Sequence, residues 1–429
     1  MTGAYGFIGS EVVAALRREG LTVIGCGRDL ELARRVNPDI EWIACDFNSD
    51  VTQAYWAPRL AGIDVVVNCV GILQGSLRDR PERIHAQATI ALFEAAAASG
   101  VRRIVHVSAV SAETGVPTAY ARSKAKADVA LGKLDANWLI VKPSLVIGRG
   151  AYGGTSLMRG LAGLPCVLLL PGESRERFQP IALDDLGCGI ARLAARTEPS
   201  RTTLNAAGPE TICLHDILIA YRSWLGFGSA RVVTLPLPLL RFMLRLGDVA
   251  GYIGHITSAR STSLEQLRYD TLVDGTEFAA VCGRVKGFNE TLAAWPATLQ
   301  DRLHARSFFA VPLLQVTTSL FWIVTGVLTL TPASFASATA LVTGAGFSAP
   351  LAKAVVGAGL IADIVAGALF LLPNWVRKAG APQLLLSAIY LVGLSAVAPE
   401  LWADHLGPLL KVLPMMAATL VVMAFQEKR

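Results

Sequence analysis

The sequence predicts an α/β protein, a doubly wound parallel sheet carrying a small second lobe, followed by an all-α bundle of four membrane-spanning helices. Three observations predict it. Glycines at three-residue spacing lead into a helix at the very start. Short apolar strands then alternate with helical stretches. After Arg306 charge vanishes over long stretches, with none until Lys353 and none between Lys378 and Glu400.

Composition agrees with that division. The 429 residues are 53% hydrophobic and 17% charged, with a mean hydropathy of +0.47. An average soluble domain carries about 25% charge, so neither disorder nor a wholly soluble chain fits. The net charge of +6 comes from dispersed Lys and Arg, which argues against a nucleic-acid face. Seven cysteines, an odd number with no CxxC pair, all precede residue 300 and point to reduced thiols in the cytoplasm rather than a disulfide scaffold. The six histidines show no metal spacing, and no secretory signal is present at the start.

The first element is the turn Gly3, Gly6 and Gly9 leading into a helix over 10–18. In a dinucleotide site the first glycine of such a turn bends tightly, the second lets backbone approach a pyrophosphate, and the third lets helix pack on sheet. The helix N-terminus then offers its unpaired N–H groups. Strands follow at 21–26, 41–45, 63–67 and 103–107, with a helix over 81–99. This alternation builds a doubly wound sheet. Only Met1 and Thr2 precede the turn, although a central strand belongs there, so a natural start several residues earlier is expected.

Tyr120 and Lys124 stand four apart, on one face of a helix. A phenol of pKa near 10 is a poor acid at neutral pH, and a neighbouring ammonium favours its ionised form. Tyr120 is therefore the candidate acid/base for hydride transfer to or from a carbonyl. Lys124 lowers its pKa and holds a ribose, and Ser108 at the end of the 103–107 strand is the candidate carbonyl donor.

These residues carry a resemblance. Thr2–Gly9 (TGAYGFIG), Asn68–Gly71, Val105–Ala109, Tyr120 with Lys124, and Lys142–Ser144 ahead of Val146–Gly148 resemble the short-chain dehydrogenase/reductase superfamily. The later landmarks Phe178–Ile181, Asp184–Asp185 and Gly208–Glu210 are similar to its extended and atypical branches, above all the group typified by the 39-kDa accessory subunit of respiratory complex I. The resemblance runs from residue 1 to about 300. It implies that Gly3, Gly6, Phe7, Ile8 and Gly9 line the pyrophosphate, and that Arg28 meets an adenosine 2′-phosphate, favouring NADP over NAD. It further implies that Asp46 and Phe47 border the adenine, that Val70 and Gly71 lie along the cofactor, and that Lys142, Pro143 and Ser144 flank the nicotinamide. The chain departs from the family where Ala109 follows Ser108 in place of a second serine. Some atypical members keep the cofactor only as a structural part of a larger assembly.

Residues 149–288 form the expected substrate lobe. Residues 151–163 read as a mobile glycine-rich region. Residues 232–253 read as a lobe helix, with Leu239, Leu240, Met243 and Leu244 on one face, or alternatively as an amphipathic helix in a membrane interface.

A linker at 301–307 leads to four apolar segments at 308–330, 352–372, 382–399 and 407–425. Each approaches the roughly 20 residues that span a bilayer. Arg302, Arg306, Arg377, Lys378, Lys428 and Arg429 all fall on one side, which places the soluble domain and C-terminus in the cytoplasm. The region 308–429 resembles the DoxX-like membrane family. Asp363, midway along the second segment on a stripe with Gly359 and Gly367, is a possible intramembrane site.

Three readings stay open. The first is a membrane-anchored NAD(P)-dependent oxidoreductase acting on a hydrophobic small molecule. The second is a non-catalytic NADP-binding subunit of a membrane complex. The third, weaker, is a sugar-nucleotide epimerase or dehydratase.

Overall fold

The computed structural model describes residues 1–426 apart from 173, 256 and 406; Lys428 and Arg429, part of the charge pattern above, lie outside the described residues. The chain divides into two compact units. One comprises residues 1–252 and 256–306, the other 253–255 and 307–429.

In the first unit a parallel sheet runs, from one edge, Glu41–Ala44, Ile24–Gly27, Thr2, Val65–Asn68, Arg103–Val107, Trp138–Pro143 and Arg201–Ala206. Thr2 alone fills the central place. Its N–H donates to the Val67 carbonyl (3.0 Å), its carbonyl accepts from Cys69 N (3.1 Å), and Met1 O accepts from Cys26 N (2.7 Å). From Thr2 the sheet order runs outward one way through Ile24–Gly27 and then the other way through Val65–Asn68. The point where that order reverses, beside Thr2, is where such sheets open a crevice for ligands. The strands at 24–27 and 65–68 begin later than expected, because residues 21–23 and 63–64 lead in as loop.

Helices cover both faces. Phe7–Arg18 and Leu183–Ala195 bury Val12, Leu16, Leu186 and Ile190 against Val105 and Val141. On the other face, Leu92, Phe93 and Ala96 of Thr89–Ala98 and Leu131 of Ala119–Gly132 pack on Val66, Ile104 and Ile140. The 81–99 helix opens as a π-helix over Glu82–Ala88, and such wide turns often mark functional sites.

The lobe has its own core around Met158, Leu168, Ile217, Tyr221 and Phe288. Two expectations are corrected there. Residues 151–163 are not a mobile loop but a mostly buried helix, Gly153–Ala162, closed by a Tyr152–Thr155 capping box. Residues 232–253 are not one helix. Arg231–Leu235 pairs as a strand with Val167–Pro171, and the helix proper is Leu237–Tyr252. The two prolines at its start explain the break, since Pro236 and Pro238 lack the N–H that a continued ladder needs. Buried Arg159 ties the lobe together, donating to Asp301 Oδ1 (2.8 Å) and the Gly148 carbonyl (2.7 Å), with its guanidinium 4.8 Å over the Trp224 ring.

The expected linker 301–307 is helical, part of Leu299–Thr329. Among the described residues, three helices are long and apolar enough to cross a membrane: Leu299–Thr329, Ala349–Phe370 and Pro373–Val397. The fourth, Val412–Phe425, has 14 residues. At 1.5 Å per residue it reaches about 21 Å, short of a bilayer core of about 30 Å. The stretch 331–350, expected as a loop, contains the helix Pro332–Gly344, with Thr331 as its N-cap and Pro332 at its first position. Gln315 donates to the Phe370 carbonyl (2.8 Å), an acceptor that the end of Ala349–Phe370 leaves unpaired, and Gln383 donates to the Ala366 carbonyl (3.1 Å) one turn earlier.

Candidate functional site

The site is built on the glycine turn after Thr2. Gly3 has φ +68°, and a Cβ on it would lie 2.9 Å from the Cys69 carbonyl carbon. A Cβ on Gly9 would come within 2.0 Å of Gly3 O. Only glycine fits either place. Gly6 is the N-cap of Phe7–Arg18 and offers no capping side chain, so the first-turn N–H groups of that helix remain for an anion. The Phe7 ring stacks on Tyr152 (5.4 Å), and Ile8 is half-buried. The residues present therefore fit a dinucleotide pyrophosphate.

At the end of the Ile24–Gly27 strand, Arg28 is not free. Its Nη1 lies 2.7 Å from Asp79 Oδ1, which also accepts from Asn48. Asp29 caps the next helix by accepting from Leu32 N (3.0 Å), so its carboxylate is spoken for locally. Asp46 accepts from Asn48 N and lies 3.7 Å from Arg78. Phe47 turns inward, its ring edge-on to Trp56 at 5.1 Å, so only its backbone borders the crevice. Val70 N donates to Asn68 Oδ1, and Gly71 is exposed at the crevice.

Tyr120, Lys124 and Asp128 occupy one face of Ala119–Gly132, at successive four-residue steps. The Lys124 ammonium donates to the carbonyls of Val107 (2.8 Å) and Val70 (3.1 Å). Burial pushes it down to about 8, against the pull of Asp128. The expected lowering of the Tyr120 pKa by Lys124 is not found: burial, with Asp128 adding to it, pushes that phenol up to about 12. The physical reason is that the ammonium points at two backbone carbonyls instead of the phenol.

Ser108 also departs from its expected role. Its hydroxyl donates to Asp128 Oδ2 (2.8 Å) and is 3% exposed, so it serves a buried carboxylate rather than an open crevice. Burial raises Asp128 to about 6, opposed by Ser108, Lys142 and Lys124. Lys142 Nζ reaches Glu113 (3.1 Å) and lies 3.7 Å from Asp128. Pro143 ends its strand in the core. Ser144 keeps a buried hydroxyl with no partner among the described residues, an orphan that a cofactor amide or hydroxyl would satisfy.

Two groups here escape sequence reasoning. His85 Nε2 accepts from Ile72 N (2.9 Å), which puts the ring proton on Nδ1, facing Ser123 Oγ (2.9 Å); Ser123 in turn donates to the Tyr120 carbonyl. Its ring meets Tyr120 edge-on at 5.4 Å, and burial holds it neutral. Asp128 is the other, and its signal was available: it continues the Tyr120–Lys124 face by one more turn. Outside the site, Cys213, His215 and Asp216 bring three potential metal ligands within 4.8 Å, which spacing alone did not suggest. Both Asp216 oxygens there already accept, from Cys213 and His215.

In the second unit Asp363 is buried and accepts from the Tyr390 hydroxyl (2.9 Å). Trp322 stacks on Tyr390 at 6.4 Å. On the stripe that carries Asp363, a Cβ on Gly367 would stand 2.8 Å from the Ser319 carbonyl, and across the contact a Cβ on Gly326 would stand 2.8 Å from the Leu360 carbonyl, so the two helices approach closely there.

The crevice, the glycine turn and the Tyr120–Lys124 pair together form a site that fits a dinucleotide. Comparison with known proteins agrees. Residues 3–158 match the NAD(P)H-binding family and residues 319–420 the DoxX-like family, so the chain joins the two. It is 25% identical over 224 residues to the mitochondrial NADH-ubiquinone oxidoreductase 40 kDa subunit of Neurospora crassa, covering 50% of this chain and 56% of that one. It is 30% identical over 183 residues to a ceramide reductase of Caulobacter vibrioides, covering 41% and 54%. The chain thus spans little more than half the length of these relatives. Among solved structures, the triphenylmethane reductase of a Citrobacter species with NADP(H) superposes with a TM-score of 0.53 at 14% identity, over 68% of this chain and 98% of that one; this likeness is one of fold.

Proposed function

We propose that the chain is a membrane-anchored, NADP-dependent reductase of a carbonyl on a lipid-soluble substrate. One observation carries this reading: Lys124 bridges the carbonyls of Val70 and Val107 at the crevice, with Tyr120 one turn earlier on the same face. Bound there, the cofactor supplies a hydride. The glycine turn and first helical turn hold its pyrophosphate, Arg28 its 2′-phosphate, and Lys124 its ribose. Tyr120 gives its proton to the substrate oxygen as charge develops there. A phenol raised to about 12 is protonated at neutral pH and so has a proton to give, as a weaker acid than a free tyrosine. His85 and Ser123 fix the turn that carries Tyr120, and Asp128 keeps Lys124 charged. The DoxX-like domain and the likeness to a ceramide reductase support a substrate drawn from the bilayer. The positive charges of Arg302, Arg306, Arg377 and Lys378 support a cytoplasmic reductase domain.

A second reading is a non-catalytic cofactor-binding subunit. The likeness to a complex I subunit and the commitment of Ser108 to Asp128 favour it. The deciding experiment uses the full chain in lipid nanodiscs with NADPH. Oxidation of NADPH on adding lipid-soluble ketones or quinones supports the reductase. Tight NADPH binding with no oxidation by any of them, together with cells in which Tyr120→Phe changes nothing, supports the second reading.

A further inference from the structure

The helix Leu237–Tyr252 turns its apolar face away from its own domain. Its inner side is fixed. Leu244 is buried, Gly247 lies against the Ala259 carbonyl, Gly251 against the Arg260 guanidinium, and Asp248 accepts from Arg260 Nε (3.1 Å) and from Ser261. Directly opposite stand Leu239, Phe242, Met243, Leu246 and Val249, between 48% and 61% exposed. Their spacing of three and four residues gives one continuous stripe. The sequence reading had grouped Leu239 and Met243 with Leu240 and Leu244; the structure splits that set between the two sides.

Arginines flank the stripe. Arg241 and Arg245 of this helix and Arg268 of the next line a cavity of about 300 Å3, with Glu265 as the only acid in its wall. None of the three arginines is in an ion pair among the described residues. The chain then leads straight to the bilayer. Residues 253–255, immediately after the helix, cluster with the membrane unit, where His255 Nε2 bonds to the Leu371 carbonyl (2.6 Å) at the end of a spanning helix.

We propose that Leu237–Tyr252 lies in the membrane interface, its apolar stripe among acyl chains, while Arg241, Arg245 and Arg268 hold the phosphate of an anionic phospholipid headgroup. An exposed apolar stripe rimmed by arginine is the pattern of a helix lying in the interface plane. The residue that follows the helix already clusters with the unit that holds the candidate membrane spans. This inference is independent of whether Tyr120 performs chemistry.

The test uses the full chain in nanodiscs of phosphatidylcholine alone or mixed with phosphatidylglycerol. An environment-sensitive fluorophore is attached at Leu246→Cys, in a Cys166→Ser background that removes the exposed native thiol. The same fluorophore at the exposed Glu277→Cys is the control. Expected are blue-shifted emission and strong quenching by brominated acyl chains at 246, neither at 277, with both effects enhanced by phosphatidylglycerol. The combined variant Arg241→Ala/Arg245→Ala/Arg268→Ala should lose that enhancement, and inorganic phosphate should not replace the lipid. Emission at 246 like that in water overturns the proposal. So does a blue shift without bromine quenching, which would place a protein partner or a second copy on the stripe. Wild-type signals indifferent to phosphatidylglycerol overturn the headgroup assignment.

Discussion

The Ser108 hydroxyl donates to the Asp128 carboxylate at 2.8 Å, from the end of one strand to the helix that carries Tyr120. A hydrogen bond to a charged group contributes about 1.5–3 kcal/mol. Ser108→Ala should therefore destabilise the dinucleotide-binding domain by about that much at pH 8, where Asp128 is ionised. Asp128 titrates near 6 in the folded chain, and the Ser108 bond favours its ionised form. The bond's contribution is full above that value and falls as the carboxyl is protonated on the way to pH 5. Thermal unfolding of both proteins at the two pH values checks this. A loss equal at both would mean that the bond is not made to a carboxylate.

Tyr120→Phe keeps the ring and removes the proton. Loss of a positioned general acid costs about 10²–10⁴-fold. Turnover should fall by that factor while the affinity for NADPH stays at the wild-type value. Stopped-flow turnover beside cofactor titration separates the two. Unchanged turnover would remove Tyr120 from the chemistry.

Arg28 pairs with Asp79 and, on the proposed function, would also meet the 2′-phosphate. A charge-assisted bond of about 1.5–3 kcal/mol corresponds to roughly ten- to hundredfold in affinity. Arg28→Ala should weaken NADPH by that factor and leave NADH unchanged. Asp79→Asn removes the competing carboxylate and should tighten NADPH alone. Titration calorimetry with both cofactors tests the pair; equal NADPH and NADH affinities in the wild type would dismiss the arginine's role.

Much of this was legible in the sequence because glycine geometry and apolar alternation are local. Gly9 is held by Gly3 within the same turn, and the 103–107 strand has the predicted bounds, whereas Gly3 itself meets Cys69 from a distant strand end. What escaped depends on partners far away in sequence. Nothing near Ser108 shows that its hydroxyl meets a residue twenty positions on. Nothing near Arg28 shows Asp79. The pairing of Arg231–Leu235 with Val167–Pro171 joins segments more than sixty residues apart. The helix Pro332–Gly344 was the exception: Thr331 and Pro332 are a local start signal, hidden because the stretch lacks charge.

The proposed orientation predicts labelling. All seven cysteines lie in the first unit, so a cytoplasmic placement of that unit would leave intact cells with no native thiol for an impermeant maleimide. Ser337→Cys, in the helix after the first span, should then be labelled in intact cells, and Lys378→Cys only after lysis. Labelling of Lys378→Cys in intact cells would invert the orientation or change the number of crossings.

The last prediction concerns Asp363 and Tyr390. Asp363 is 4% exposed, and the Tyr390 hydroxyl is its only hydrogen-bond partner among the described residues. The pair depends on Gly359, where a Cβ would stand 3.0 Å from the Tyr390 oxygen. Leaving one buried polar partner unsatisfied costs about 1–3 kcal/mol, whereas replacing both by apolar groups is nearly neutral. Tyr390→Phe should therefore destabilise the helical bundle by about that amount in the wild type and hardly at all beside Asp363→Leu. Gly359→Val should act like Tyr390→Phe, because its side chain displaces the phenol. Thermal unfolding of the four combinations in nanodiscs gives the coupling directly. Additive losses would show that the carboxyl finds its partner elsewhere, such as a ligand or water in the bundle, and that Tyr390 merely packs beside it.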